Sequence, residues 1–316
     1  MLYRKLLLLA LTQAYGGSVS VATCQAMLSL FCTRRNKHHY AFFPSLQGYL
    51  SLVLAQDKRS LINVGLLAEQ KDFALQQEHA YLEQLKPIDQ EVLLTVIKET
   101  NQVLQSQLFS PYLEMAEKEP ARQKEALEAK EEEHQAKSSC LFTLGYEGLS
   151  IDAYLKLLIA SDIAVLVDVR RNPLSRKFGF SKQQLTQATH LAGITYQHIP
   201  ELGIPSSLRQ HLENEAAYQR LFEYYATSLL PEQKVAIERV KHLLSEKYRI
   251  VLMCFEAAPR FCHRHKIAEY LQEDTSFHIP VIHLNKDDIP PKSPAAEVAG
   301  KDVPGQMHKN SLYIHI

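Results

Sequence analysis

The sequence predicts a two-domain protein whose larger part is α/β: a mostly parallel, Rossmann-like sheet with helices on both faces, preceded by a helical domain. Three observations predict it. Between residues 139 and 285, short apolar, β-branched runs alternate with amphipathic stretches of helical length. Repeated β-α-β units of that length need right-handed crossovers, which give a parallel sheet covered on both faces. Over residues 114–138 the composition shifts abruptly to Glu, Lys, Ala and Gln, which leaves almost no apolar surface for a core and marks a solvated helix or connector. The predicted layout is therefore a helical domain over 1–113, a charged linker over 114–138, an α/β domain over 139–285 and an extended tail over 286–316.

Taken in order, the first domain opens with Arg4 and Lys5 before the apolar run Leu6-Leu7-Leu8-Leu9-Ala10-Leu11. That run is shorter than the ~7–15 residues of a signal-peptide core, so a buried first helix is expected. It stops at Gly16-Gly17. Met27, Leu28, Leu30 and Phe31 suit a second helix from Val21 to Cys32, and His38 to Pro44 is aromatic and strand-like. A third helix is expected over residues 47–62, and a further helical stretch over 71–115. This arrangement loosely resembles the winged-helix-like modules at the front of some bacterial regulatory and defence proteins, which bind DNA or other proteins. Arg34, Arg35, Lys37, Lys58 and Arg59 would then meet phosphates; a solvated helix end accounts for them equally well.

The second domain reads as strand one over residues 140–145, a helix over 150–161 with Ser150 as N-cap, and strand two over 163–169. A helix follows from Ser181 to Ala192, then strand three over 195–199, helical segments over 208–229 and 235–246, and strand four over 248–253. A helix from Arg264 and strand five over 278–284 complete it. The tail beyond carries Pro290, Pro291, Pro294 and Pro304 and is expected to be extended.

Bulk properties exclude several classes. The 35 basic and 35 acidic residues cancel, so no global field draws the chain to nucleic acid or acidic membranes. Nothing approaches the ~18–20 apolar residues of a membrane span. Five cysteines (24, 32, 140, 254, 262) form an odd set with no dense framework, which favours free thiols in a reducing, cytoplasmic setting. Neither a Gly-x-Gly-x-x-Gly fingerprint nor a Walker A loop follows any strand, and no cofactor is expected.

The chemistry-bearing residues sit where strands end. Strand one ends in Gly145-Tyr146-Glu147-Gly148, strand two in Asp168-Val169-Arg170 with Arg176 soon after, and strand three in Pro200-Glu201-Leu202-Gly203. Strand four ends in Cys254-Phe255-Glu256, followed by Cys262-His263-Arg264 at a helix start. In a parallel sheet these tips share one edge, the usual ligand crevice. Glu147, Asp168, Glu256 and Cys254 are the candidate catalytic groups. Tyr146, Arg170, Arg176, Cys262, His263 and Arg264 are the candidate substrate-binding groups, the arginines suiting bidentate phosphate contact. An internal Asp168–Arg170 ion pair and a capping role for Glu147 are the plainer alternatives. A nucleophilic cysteine is disfavoured because Cys254 stands six positions from Arg260 and ten from Arg264, not in the Cys-x5-Arg pattern. Zinc on Cys254, Cys262, His263 and His265 is disfavoured because adjacent Cys–His pairs seldom point at one ion.

On these same motifs, together with Asn172-Pro173, Ser175-Arg176 and Phe178-Gly179-Phe180-Ser181, residues 140–285 resemble the bacterial and archaeal DUF488 domain. The resemblance implies an α/β fold and a site at this edge, and it implies no reaction. Phe255 departs from the small residue frequent there and narrows the expected pocket. The reading is thus a nucleotide- or nucleic-acid-directed protein, a hydrolase or glycosyl-transfer enzyme in a bacterial defence or regulatory setting. A non-enzymatic DNA-binding regulator whose α/β domain senses a nucleotide is the alternative. The expected partners are a phosphate-bearing ligand and DNA at the first domain, with no membrane; the sequence leaves room for a homodimer.

Overall fold

The computed structural model describes residues 1–45, 48–77, 79–105, 139–210, 214–246, 249–275 and 277–288. The predicted charged linker and nearly all of the predicted tail lie outside these residues. The described chain divides into two compact units, residues 1–42 with 53–105, and residues 43–52 with 139–288.

The first unit is helical, as expected. It holds α1 (Tyr3–Ala14), β1 (Ser18–Val19) and α2 (Val21–Arg35). The chain then makes a hairpin, β2 (Phe43–Ser45) and β3 (Gly48–Leu50), which packs with the second unit. It returns as α3 (Leu52–Asn63), β4 (Phe73–Ala74) and α4 (Pro87–Gln105). Five consecutive α1 residues, Leu7 to Leu11, are fully buried, so this helix runs through the core and has no wet face. Ser20 caps α2 by accepting from the Thr23 N–H at 3.1 Å. Two sequence expectations shift here. Residues 48–50 pair as a strand where helix was expected, because Phe43 lies opposite Leu50 and Pro44 opposite Tyr49. The helix expected over 71–115 begins only at Pro87, whose missing N–H is tolerated in a first turn. A winged-helix assignment of this unit is not confirmed.

The second unit is built on a five-stranded, all-parallel sheet. Its elements are β5 (Cys140–Gly145), α5 (Ile151–Ala160), β6 (Val165–Asp168), α6 (Lys182–Leu191), β7 (Thr195–His198), α7 (Glu215–Tyr224), α8 (Lys234–Glu246), β8 (Arg249–Cys254), α9 (Arg264–Glu273) and β9 (Val281–His283). The spatial order is β7-β6-β8-β5-β9. From β5 to β6 to β7 the chain steps one way across the sheet; from β7 to β8 and from β8 to β9 it steps the other way. Right-handed crossovers therefore send α5 and α6 to one face and α7, α8 and α9 to the opposite one.

Burial follows this division. Val165, Val167, Ile250 and Leu252 pack with Ile237, Val240, Leu244, Ile267 and Leu271 on the α8–α9 face. Period two turns Phe142, Leu144, Leu166 and Val251 the other way, where they are equally buried. Such two-sided burial explains why these strands read as unbroken apolar runs. The connections diverge between β6 and β8, where Asp168 is the register partner of Met253, and β5 ends beside them with Gly145 opposite Cys254. This is the switch point at which α/β sheets hold ligands. Among the described residues no helix is long and apolar enough to cross a membrane.

Candidate functional site

Three loops meet at the switch point, and hydrogen bonds lace two of them together. Tyr146 N–H donates to the Cys254 carbonyl at 3.2 Å and Glu147 N–H to the Phe255 carbonyl at 2.8 Å. The Glu147 carboxylate, although the residue is exposed, accepts from the Ala257 N–H at 2.9 Å. Gly145 makes the approach possible: a Cβ there would lie 1.8 Å from the Glu256 carbonyl oxygen. Arg264, wholly buried at the start of α9, clamps the same loop, donating Nη1–H to the Glu256 carbonyl at 2.6 Å and Nη2–H to the Ala257 carbonyl at 2.9 Å. Its Nε is without a hydrogen-bond partner among the described residues.

The sequence-predicted residues separate into two groups. On the α5–α6 face, Asp168 and Arg170 form a buried bidentate pair, Nε to Oδ1 at 2.8 Å and Nη2 to Oδ2 at 2.6 Å. Arg170 Nη1–H also donates to the Tyr146 hydroxyl at 3.1 Å, and the Tyr196 hydroxyl donates to Asp168 Oδ2 at 2.8 Å. Burial opposes the Arg170 charge, but the bonds to Asp168 outweigh it and hold the guanidinium above its usual range. The Tyr146 ring is sandwiched against Phe180, centroids 4.3 Å apart and nearly parallel. These groups satisfy one another. Arg176 stands exposed on the loop beyond them.

On the α7–α9 face lies the second group, beside a cavity of about 330 Å³ lined by Ile204, Arg209, Tyr218, Leu221, Phe222, Glu256, Phe261 and His263. Cys254 and Cys262 are buried next to it, and their sulfurs and the nearest His263 ring nitrogen all lie within 4.8 Å of one another. Cys254 Sγ is 3.8 Å from His263 Nδ1 and 3.5 Å from Glu256 Oε2. His263 Nε2 is 3.1 Å from the Val169 carbonyl. A carbonyl can only accept, so the proton of the neutral ring sits on Nε2 and Nδ1 presents a lone pair to the cysteines.

Two groups here have displaced protonation equilibria. Burial alone would raise the Glu256 pKa. A hydrogen bond with the Cys262 side chain, a bond to its own backbone and the Arg209 charge more than offset this, so the carboxyl is held below its usual range. Burial, then the bond with Cys254, pushes the Cys262 thiol well up.

Of the ten candidates, then, the structure gathers Cys254, Glu256, Cys262 and His263 at the cavity side. It places Glu147 and Arg264 in the loop scaffold, and Asp168, Arg170 and Tyr146 in a closed network. Sequence reasoning missed Arg209, whose Nη2 lies 3.5 Å from His263 Nδ1. It comes from a 3-10 turn, Ser206–Arg209, between β7 and α7, and not from a strand tip. His265 turns away from the sulfurs, its ring edge-on to Phe222.

Residues 150–271 match the family model described as a domain of unknown function, DUF488. The β5 strand and its Gly145-Tyr146-Glu147 tip precede the matched span, and β9 follows it. Neither a curated protein nor a solved structure matches the chain.

Proposed function

We propose that this DUF488 domain is a hydrolase acting on a nucleotide or the end of a nucleic acid, bound in the cavity on the α7–α9 face. The observation that carries this reading is the convergence of Glu256, His263 and Arg209 on one cavity of about 330 Å³, a volume within the ordinary range for small-ligand sites. Arg209 is exposed at the rim and supplies a fork of donors for phosphate oxygens. Tyr218, Phe222 and Phe261 line the same space and offer ring faces or edges to a base. Glu256, whose side chain lines the cavity, is the group to take a proton from an attacking water.

Hydrolysis of a phosphate ester is preferred over cleavage of a glycosidic bond because the latter ordinarily uses a second, free carboxyl group across the scissile bond. The other two candidate catalytic carboxylates are committed, Glu147 to the Ala257 N–H and Asp168 to Arg170.

The test is calorimetric titration with nucleoside mono-, di- and triphosphates and 5′-phosphorylated oligonucleotides, paired with chromatographic detection of products. The expected outcome is saturable binding and turnover in the wild type. Glu256→Gln should lower turnover by on the order of 100-fold or more while affinity stays within a few-fold. Arg209→Ala should weaken binding by roughly 1.5–3 kcal/mol, the worth of a hydrogen bond to a charged group. Saturable binding without turnover in the wild type would make the domain a sensor and overturn the enzyme reading.

A further inference from the structure

We propose that Cys254, Cys262 and His263 form a three-ligand site for a divalent metal ion, zinc by the chemistry of the donors, with the fourth coordination position facing Glu256 and the cavity. Three features carry it. First, the separations fit. A tetrahedral ion with Zn–S of about 2.3 Å and Zn–N of about 2.0–2.1 Å sets its donors roughly 3.5–3.8 Å apart. Cys254 Sγ to His263 Nδ1 measures 3.8 Å, and Cys262 Sγ completes a set whose members are all within 4.8 Å of one another.

Second, the histidine is already oriented as a ligand. Its Nε2–H is fixed on the Val169 carbonyl at 3.1 Å, the backbone bond that metal-bound imidazoles commonly make, and this leaves the Nδ1 lone pair toward the sulfurs. Its ring is also held edge-on by Tyr225, centroids 5.6 Å apart. Third, the donors are soft and buried, both cysteines being 1% exposed. Two thiolates and an imidazole select zinc over magnesium or calcium. Cys262 and His263 adjoin in sequence, yet they converge because His263 is the N-cap of α9 and Cys262 is the extended residue before it. The Arg209 guanidinium, 3.5 Å from Nδ1, belongs to an exposed side chain and would have to swing away from the ring for the ion to bind.

Three protein ligands and an open position are the pattern of a catalytic rather than a structural zinc. In that position a water would be polarised while Glu256 accepts its proton; the water oxygen then attacks the ligand's electrophilic centre and the leaving group recovers the proton from Glu256. This role in catalysis rests on the hydrolase reading above. The existence of the metal site does not.

The experiment is therefore metal binding first and turnover second. The full-length protein, stripped with chelator, is titrated with zinc and separately with cobalt(II). One zinc per chain is expected, and cobalt should give a sulfur-to-metal charge-transfer band with the intense visible bands of a tetrahedral ion. Cys262→Ser should lose both. Cys140→Ser, at the start of β5, should keep both, since that thiol faces the Pro280 carbonyl at 3.4 Å. If Cys262→Ser fails to fold, the wild-type stoichiometry and spectrum still decide. Zinc below stoichiometry, or cobalt bound without thiolate bands, overturns the site. A spectrum with the site intact but no hydrolysis by the zinc-loaded protein overturns the hydrolase reading alone. Full turnover by the stripped protein sustains that reading and removes the metal from it.

Discussion

Arg170 spends its guanidinium inside the protein, with Asp168 on two sides and the Tyr146 hydroxyl on a third. An arginine whose charge is so compensated and whose side chain is buried is poorly placed to meet a phosphate, whereas Arg209 stands exposed at the cavity rim. The pair matters for folding, because both side chains are out of water, Asp168 entirely so. Deleting one charge would leave the other buried and unpaired. Asp168→Asn should therefore cost about 3–5 kcal/mol, the range for breaking a buried pair from one side. Urea unfolding followed by circular dichroism would measure it, and a loss under about 1 kcal/mol would mean that water reaches the pair. From the sequence, Asp168 and Arg170 looked alike as binding groups and as an ion pair, since period two places them on one side of the strand in both cases. Only the opposite orientation of Cys254 on the neighbouring strand separates that network from the cavity.

At the level of elements, the edge between β5 and β8 holds its loops by backbone contact, and Gly145 is the residue that permits it. Gly145→Ala would press a methyl group onto the Glu256 carbonyl, 1.8 Å from the ideal Cβ position. No rotamer relieves a clash with main chain, so a penalty of about 1–3 kcal/mol is expected from the forced shift. The same shift should displace Glu256 and weaken cavity ligands; an unchanged melting temperature and affinity would show that the loop gives way freely. The strands were the legible part of this unit. β5, β6 and β8 are buried on both faces, so their apolar runs announce them without any alternation to decode. The helical stretch expected over residues 208–229 was less legible, being a 3-10 turn at Ser206–Arg209, α7, and a π-turn at Tyr225–Leu229. Arg209 was missed for that reason: a polar residue in an irregular turn leaves no periodic trace.

On the scale of the whole chain, two hydrophobic cores are separately assembled, one from α1, α2, α4 and their neighbours, the other from the sheet and α7–α9. Calorimetry of the full-length protein should resolve two unfolding transitions, and Asp168→Asn should lower only one of them. A single transition in which both cores respond to that substitution would show them to be thermodynamically one. What the order of residues conceals is the hairpin. Phe43, fully buried, and Ser51 come from the front of the sequence, yet Asp152 on α5 accepts from the Ser51 hydroxyl at 2.6 Å and from the Leu52 N–H at 2.8 Å. Asp152→Ala should speed hydrogen exchange at Leu52 without touching the cavity, and unaltered exchange would count against this tether. Splitting the gene at the charged segment therefore yields no clean half. The downstream fragment would be born with an unfilled notch on α5, and shuffling it between proteins would call for its distant β-ribbon to travel along.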